Sequence, residues 1–157
     1  MNKPTKPIAI IPARKNSKRI KDKNIVNFFG KPLISITIKN LIDTKLFSNV
    51  YVSTDSKKIA RIAKKNGAEV LFPRPKHLSN DSATLIQVIS YELQHLDKII
   101  SNDQKVYCIL PTAIFINKID IINTKKKFSK NTGFIITGIK QDKSVLRNFY
   151  FHKKKMK

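Results

Sequence analysis

Pro7-Ile8-Ala9-Ile10-Ile11-Pro12-Ala13-Arg14-Lys15-Asn16-Ser17-Lys18-Arg19 passes abruptly from an apolar run to cations. The first seven residues are too short for a helix and have no polar alternation, as expected of a strand buried on both faces of a sheet. From Arg14 the chain becomes polar as far as Asn27, with six cationic side chains and no amphipathic period. A loop of that length inside a compact domain is usually functional.

Beyond this start, strand and helix signals alternate. Gly30-Lys31-Pro32 introduces a helix to about Ile42, with Leu33, Ile36, Leu41 and Ile42 available for an inward face. A second strand is expected over residues 49–53. Thr54-Asp55-Ser56 can cap a helix carrying Ile59, Ile62 and Ala63, which ends in Lys64-Lys65-Asn66-Gly67. Further strands are expected at 69–72, 106–110 and 133–139, and helices at 83–100 and near 118–128. The second-last helix would place Leu85, Ile89, Leu93, Leu96 and Ile100 on one stripe. This order predicts an α/β fold with a mainly parallel sheet, helices on both faces and right-handed crossovers. Ligands in such sheets bind beyond the carboxyl ends of the strands. Residues 14–27, 53–55, 73–82 and 111–113 all fall there.

The chain has 157 residues and 41% hydrophobic side chains, enough for one core. It is read as a single domain, with residues 1–6 as an N-terminal tail and 148–157 as a basic C-terminal tail. No apolar run of about 18 residues could span a bilayer, so a soluble, cytoplasmic protein is expected. Cys108 is the only cysteine and sits among apolar neighbours, which suggests a core position rather than a nucleophile. The formal charge of +22 raises the question of nucleic acid. The excess is nearly all lysine and is spread along the chain, and no zinc-finger, RNP-like or basic-heptad pattern occurs. Nucleic-acid binding is therefore not expected. His77, His95 and His152 share no metal-ligand spacing.

Arg14-Lys15-Asn16-Ser17-Lys18-Arg19 offers main-chain amides, a hydroxyl and several cations just past a buried strand. A triphosphate needs that combination, because charge accumulates as a phosphoanhydride breaks. A solvated basic loop is the bland alternative. The loop is neither a Walker A nor a dinucleotide-binding glycine motif.

The segment from Ile10 to Ile25 resembles the opening motif of the acylneuraminate cytidylyltransferases, which couple CTP to sialic acids and their bacterial relatives. Four further segments agree in order: Phe29-Gly30-Lys31-Pro32-Leu33, Val52-Ser53-Thr54-Asp55, Arg74-Pro75 with Leu78 and Asp81, and Leu110-Pro111-Thr112-Ala113. Ser17-Lys18-Arg19-Ile20 and residues 107–113 are most similar to the pseudaminic acid branch, whereas Lys15-Asn16 is closer to the sialic branch. The resemblance implies a Rossmann-like nucleotidyltransferase fold of glycosyltransferase-A type. It implies transfer of CMP from CTP to a nine-carbon 2-keto sugar acid, with release of pyrophosphate, to supply surface glycans or glycosylated flagellin. Pseudaminic acid would be the first candidate, and sialic and legionaminic acids the others.

Carried over residue by residue, the resemblance implies that Arg14, Ser17, Lys18 and Lys23 meet the triphosphate and that Asn24 helps hold the nucleotide. Arg74 with Asp81, Ser82 and Ala83 would frame cytosine and ribose, and Pro111, Thr112 and Ala113 would line the floor between nucleotide and sugar. Blander roles stand beside these. Arg74 and Asp81 could pair across a loop, Thr112 could cap a turn, Lys23 could be solvated, and Asp55 could cap a helix. The resemblance further implies Mg²⁺ and, past Gly138, a dimerisation segment and an aspartate motif for the metal. Neither is found in this sequence, so the chain is expected to be an incomplete domain, to pair with a second copy or a completing polypeptide, or to persist as a CTP-binding remnant without catalysis.

Overall fold

The computed structural model describes residues 5–17, 20–70, 73–101, 103–128 and 133–138, together with the backbone of 151–152 and 155–156. The chain divides into two compact units, Met1–Ile122 and Asn123–Lys157.

In the first unit the apolar N-terminal run forms β1 (Ile8–Pro12), the middle strand of a parallel sheet. Two short strands, β2 (Asn27–Phe28) and β3 (Lys31–Pro32), make an antiparallel hairpin apart from that sheet. Strand β4 (Val50–Ser53) pairs with β1 on one side, Ala9 opposite Val50. On the other side lies β5 (Val106–Cys108), with Ile8 opposite Val106. The expected strand at 69–72 is present as two parallel bridges onto β4 and the residue after it, Tyr51 to Glu69 and Thr54 to Pro73. Leu71 and Phe72, between the bridges, lie outside the described residues.

Alternation along β1 sends its side chains into two cores. Ala9 and Ile11 pack with Ile34, Ile38 and Leu41 of α1 (Leu33–Asp43) and with Ile59 and Ala63 of α2 (Lys57–Lys65). Ile8 and Ile10 pack on the opposite face with Ile89, Leu93 and Leu96 of α3 (Leu85–Leu96). The fold is therefore the α/β arrangement that the sequence predicts, with helices on both faces.

Helix α1 buries Leu33 and Leu41 as expected, but its inward face is completed by Ile34, Thr37 and Ile38, whereas Ile36 is half-buried and Ile42 exposed. The segment Leu33-Ile34-Ser35-Ile36 has apolar residues on several faces, so periodicity alone does not fix its phase. Ser56 caps α2, its hydroxyl accepting from the Ile59 amide at 3.3 Å, and Gly67 follows the helix with φ 86°. Ser56→Ala should lower stability in urea titration by about 1 kcal/mol, the usual cost of a lost N-cap.

Helix α3 starts at a capping box. The Thr84 hydroxyl accepts from the Gln87 backbone amide, and the Gln87 side-chain Oε1 accepts from the Thr84 backbone amide at 2.8 Å. Its buried positions are Val88, Glu92 and Leu96, and Leu85, expected inside, is exposed.

Cys108 is also exposed, contrary to the core position expected of it. It is the last residue of a strand that pairs on only one side among the described residues. Enough protein still surrounds the thiol to push its pKa up to about 11, so it is protonated at neutral pH and a poor nucleophile.

Helix α4 (Lys118–Lys127) begins in the first unit and ends in the second. Asp120 is engaged at its start, accepting from the Asn117 amide at 3.0 Å. In the second unit residues 133–138 are irregular rather than the expected strand, with Phe134 and Ile136 exposed. Phe-Ile-Ile-Thr has strand propensity, but a strand also needs a ladder partner, and none is present among the described residues. Two short strands, β6 (Phe151–His152) and β7 (Lys155–Met156), pair antiparallel within the segment read as a basic tail.

Candidate functional site

Beyond the carboxyl ends of β1 and β5 lies a cleft of about 250 Å³. Its walls come from five separate stretches of chain: Pro12, Arg14 and Ser17; Lys23 and Asn24; Arg74, Leu78, Asn80, Asp81 and Ala83; Leu85 and Val88; and Leu110, Pro111 and Thr112. Ligands of open α/β sheets occupy this position. Nine of the residues singled out in the sequence meet here: Arg14, Ser17, Lys23, Asn24, Arg74, Asp81, Ala83, Pro111 and Thr112. Ser82 and Ala113 do not line the cleft. The Ser82 amide and hydroxyl both donate to Asn80 Oδ1, and Ala113 packs against the larger core. Lys18 lies outside the described residues.

The basic loop is held at both of its ends. After β1, the Ala13 amide donates to the Ser53 carbonyl at 2.8 Å. The Lys15 amide then donates to Asp55 Oδ1 at 2.7 Å, so Asp55 anchors the loop while Ser56 caps the helix. Farther along, a 3-10 turn over Lys23–Ile25 buries Asn24, whose Nδ2 donates to the Arg14 carbonyl at 2.9 Å. Asn24 thus closes the loop on itself. A second hollow, lined by Lys15, Asn16, Ser17, Lys21 and Asp22, belongs wholly to this loop.

The opposite wall is shaped by Asn80, whose Oδ1 accepts from the amides of Ser82 and Ala83 at 3.1 and 2.9 Å. Asp81 pairs with Arg14, Nη2 to Oδ1 at 2.5 Å, rather than with Arg74 as the sequence allowed. Both side chains are partly exposed, so this pair ties the two walls with little effect on stability. The floor is fastened from below. Thr37 Oγ1 on α1 donates to the Pro111 carbonyl at 2.8 Å, and Asn40 Nδ2 donates to the Ile114 carbonyl at 2.6 Å.

Arg74 is a buried cation, 5% exposed, and its backbone amide donates to the Thr54 carbonyl. Burial lowers its pKa, against the opposing attraction of Asp55 and Glu92. Glu92 is 4% exposed, and burial raises its pKa, partly offset by Ser53, Arg74 and His95. Sequence reasoning passed over Thr37, Asn40, Asn80 and Glu92. Thr37 and Asn40 act on partners 74 positions away, for which no local signal exists.

Three cations, Arg14, Lys23 and Arg74, therefore face one small cleft with a single carboxylate among its lining residues, Asp81. That arrangement suits a polyanion with several acceptor oxygens. Among the described residues no group of three or more His, Cys, Asp or Glu side chains could hold a metal ion. His95 is engaged locally, Nδ1 lying 2.7 Å from the Tyr91 carbonyl. No helix among the described residues is long and apolar enough to cross a membrane.

A family model described as cytidylyltransferase matches residues 8–147. The chain is similar to the pseudaminic acid cytidylyltransferase of Campylobacter jejuni serotype O:2, at 36% identity over 94% of this chain and 64% of that protein. It is also 34% identical to a Helicobacter pylori protein named pseudaminic acid cytidylyltransferase and UDP-2,4-diacetamido-2,4,6-trideoxy-beta-L-altropyranose hydrolase, over 90% of this chain and 28% of that one. The chain therefore spans less than two thirds of the length of either relative. Among solved structures, a cytidylyltransferase from Leptospira borgpetersenii superposes with a TM-score of 0.63 at 24% identity, covering 82% of this chain and 51% of that one. That last likeness is one of fold.

Proposed function

The chain belongs to the cytidylyltransferase family, and on that premise we propose that its cleft binds CTP and passes CMP to a nine-carbon 2-keto sugar acid, pseudaminic acid first among them. The observation that carries the proposal is the convergence of Arg14, Ser17, Lys23, Arg74, Pro111 and Thr112 on one cleft beyond the sheet. Support for the acceptor comes from the two relatives named for pseudaminic acid.

In the proposed reaction the anomeric hydroxyl of the sugar acid attacks the α-phosphorus. The bond from that phosphorus to the bridging oxygen breaks, pyrophosphate leaves, and the hydroxyl proton passes to solvent. Such transfers depend on positioning and charge stabilisation more than on covalent chemistry by the protein. Arg14 and Lys23 are assigned to the pyrophosphate, Ser17 and the loop amides to the remaining phosphate oxygens, and Arg74 to the nucleoside. The turn at Pro111 and Thr112 is assigned to the boundary between nucleotide and sugar. Asn24 serves this proposal by shaping the loop around the Arg14 carbonyl. Mg²⁺ enters as the companion of the triphosphate, with no residue of this chain assigned to it. The reaction is placed in the cytoplasm, and a second copy or another polypeptide is proposed to complete the sugar side.

The test is pyrophosphate release from CTP and Mg²⁺ with pseudaminic, sialic or legionaminic acid in turn. Turnover with pseudaminic acid above the other two is the expected result. Turnover with another of the three acids would move the proposal to that acid. Thermal stabilisation by CTP without turnover would leave a nucleotide-binding chain that lacks the transfer step.

A further inference from the structure

The hydroxyls along α1 find two kinds of partner. Ser35 donates to the Pro32 carbonyl and Thr44, just past the helix, to the Leu41 carbonyl, both at 2.6 Å and both three residues back. Bonding back to the preceding turn is the ordinary outlet for a helical hydroxyl. Thr37 instead reaches 74 positions along the chain, its Oγ1 donating to the Pro111 carbonyl at 2.8 Å. Thr37 is fully buried and shares the inward side of the helix with Ile34, Ile38 and Leu41. Valine would fill the same space with no polar atom to satisfy, so the hydroxyl is explained by its distant partner and not by packing.

The consequence falls on the next residue. Pro111 and Thr112 share one peptide plane, and because their bond is trans the carbonyl and the N–H point in opposite directions. Fixing the Pro111 carbonyl onto α1 therefore turns the Thr112 N–H away from that helix. Thr112 is exposed and lines the cleft, and its amide donates to no acceptor among the described residues. The following amide, that of Ala113, is used within the turn, donating to the Leu110 carbonyl at 3.0 Å. With Arg14, Lys23 and Arg74 also lining the cleft, a ligand that reaches this floor brings anionic oxygens to it.

We propose that Thr37 is a positioning residue: by holding the Pro111 carbonyl it keeps the Thr112 backbone N–H aimed into the cleft as a donor to an anionic oxygen of the ligand, either a phosphate oxygen of the nucleotide or the carboxylate of the sugar acid. The inference rests on the reading of the cleft as a site for CMP transfer. Thr37 touches no ligand in this scheme. A donor fixed in advance from below needs no reorganisation when the charged oxygen arrives. Asn40, one turn along the same helix, holds the Ile114 carbonyl at the far end of the turn and leaves the Thr112 peptide plane to Thr37.

The test follows the Thr112 amide by NMR in the full chain on addition of CTP, of CMP, and of CMP with pseudaminic acid, a pair that lacks the leaving group for transfer. Calorimetry gives the affinities, and thermal unfolding is recorded for wild type, Thr37→Val and Thr37→Ser. A downfield shift of the Thr112 amide proton with CTP or CMP identifies a phosphate oxygen, and one that appears only with the sugar acid identifies its carboxylate. Thr37→Val keeps the shape and deletes the hydroxyl. It is expected to abolish that shift and to weaken the ligand responsible on the order of tenfold, whereas Thr37→Ser, which keeps the donor, should retain both. Thr37→Ala takes the place of Thr37→Val should the latter fail to fold. A wild-type chain that binds these ligands with no shift at Thr112 overturns the proposal and leaves the nucleotide reading standing. Thr37→Val that melts earlier yet binds and shifts as wild type marks a merely structural hydroxyl and overturns it too. A wild-type chain that binds none of the ligands removes the nucleotide reading and this inference together.

Discussion

Arg14→Ala is expected to lower kcat for CMP transfer by about 10²–10³-fold, the cost of removing one preorganised group that stabilises charge in a transition state. The guanidinium follows β1 directly, and its backbone is fixed by the Asn24 amide on its carbonyl and by the Lys15–Asp55 bond one residue on. Little reorganisation is therefore needed as negative charge builds on a departing pyrophosphate. The partner Asp81 is itself partly exposed, so loss of their ion pair should cost no more than about 1 kcal/mol of stability. Activity and stability thus separate: Arg14→Ala should unfold close to the wild-type denaturant midpoint while turning over far more slowly. Lys23→Ala should fall in the same range of kcat. Pyrophosphate release at saturating CTP, alongside urea unfolding, reads both quantities.

Ile38→Ala is expected to destabilise the fold by about 2–5 kcal/mol, the range for deleting a large aliphatic side chain from a packed core. Ile38 is fully buried between β1 and α1, among Ala9, Ile11, Ile34 and Leu41. A domain of this size has roughly 5–15 kcal/mol in hand, so the loss removes a large share of it. The effect should reach the site as well, because Thr37, the preceding residue, holds the Pro111 carbonyl. Urea titration gives the energy, and a raised KM for the sugar acid would show that the cleft floor loosens with the helix.

The central strand and the functional loop were legible because burial on both faces writes itself as an unbroken apolar run, and Ile8–Pro12 is one. The convergence of residues 14–27, 73–82 and 111–113 on one cleft followed from topology, since the carboxyl ends of parallel strands lie on one side, whereas residues 53–55, expected there too, do not line it. Less was legible where two physical signals compete. In α1, apolar residues on several faces left the phase open, and Thr37, not singled out in the sequence, donates to the Pro111 carbonyl of the cleft floor. Glu92 carries no local sign of burial, yet it is 4% exposed. Cys108 reads as core from its neighbours, but its strand pairs on one side alone among the described residues. Residues 133–138 carry strand propensity without a ladder partner among the described residues. Asn24, expected to help hold the nucleotide, lines the cleft and also braces the loop that bears Arg14, a bond across ten positions that no local pattern announces.

A crystal structure of the chain grown with CTP tests most directly whether this cleft is the nucleotide site. The expected result is density for the triphosphate beside Arg14, Ser17 and Lys23, with the nucleoside within hydrogen-bond reach of the Arg74 guanidinium. Nucleotide bound away from these residues, or an empty cleft at saturating CTP, would contradict the account.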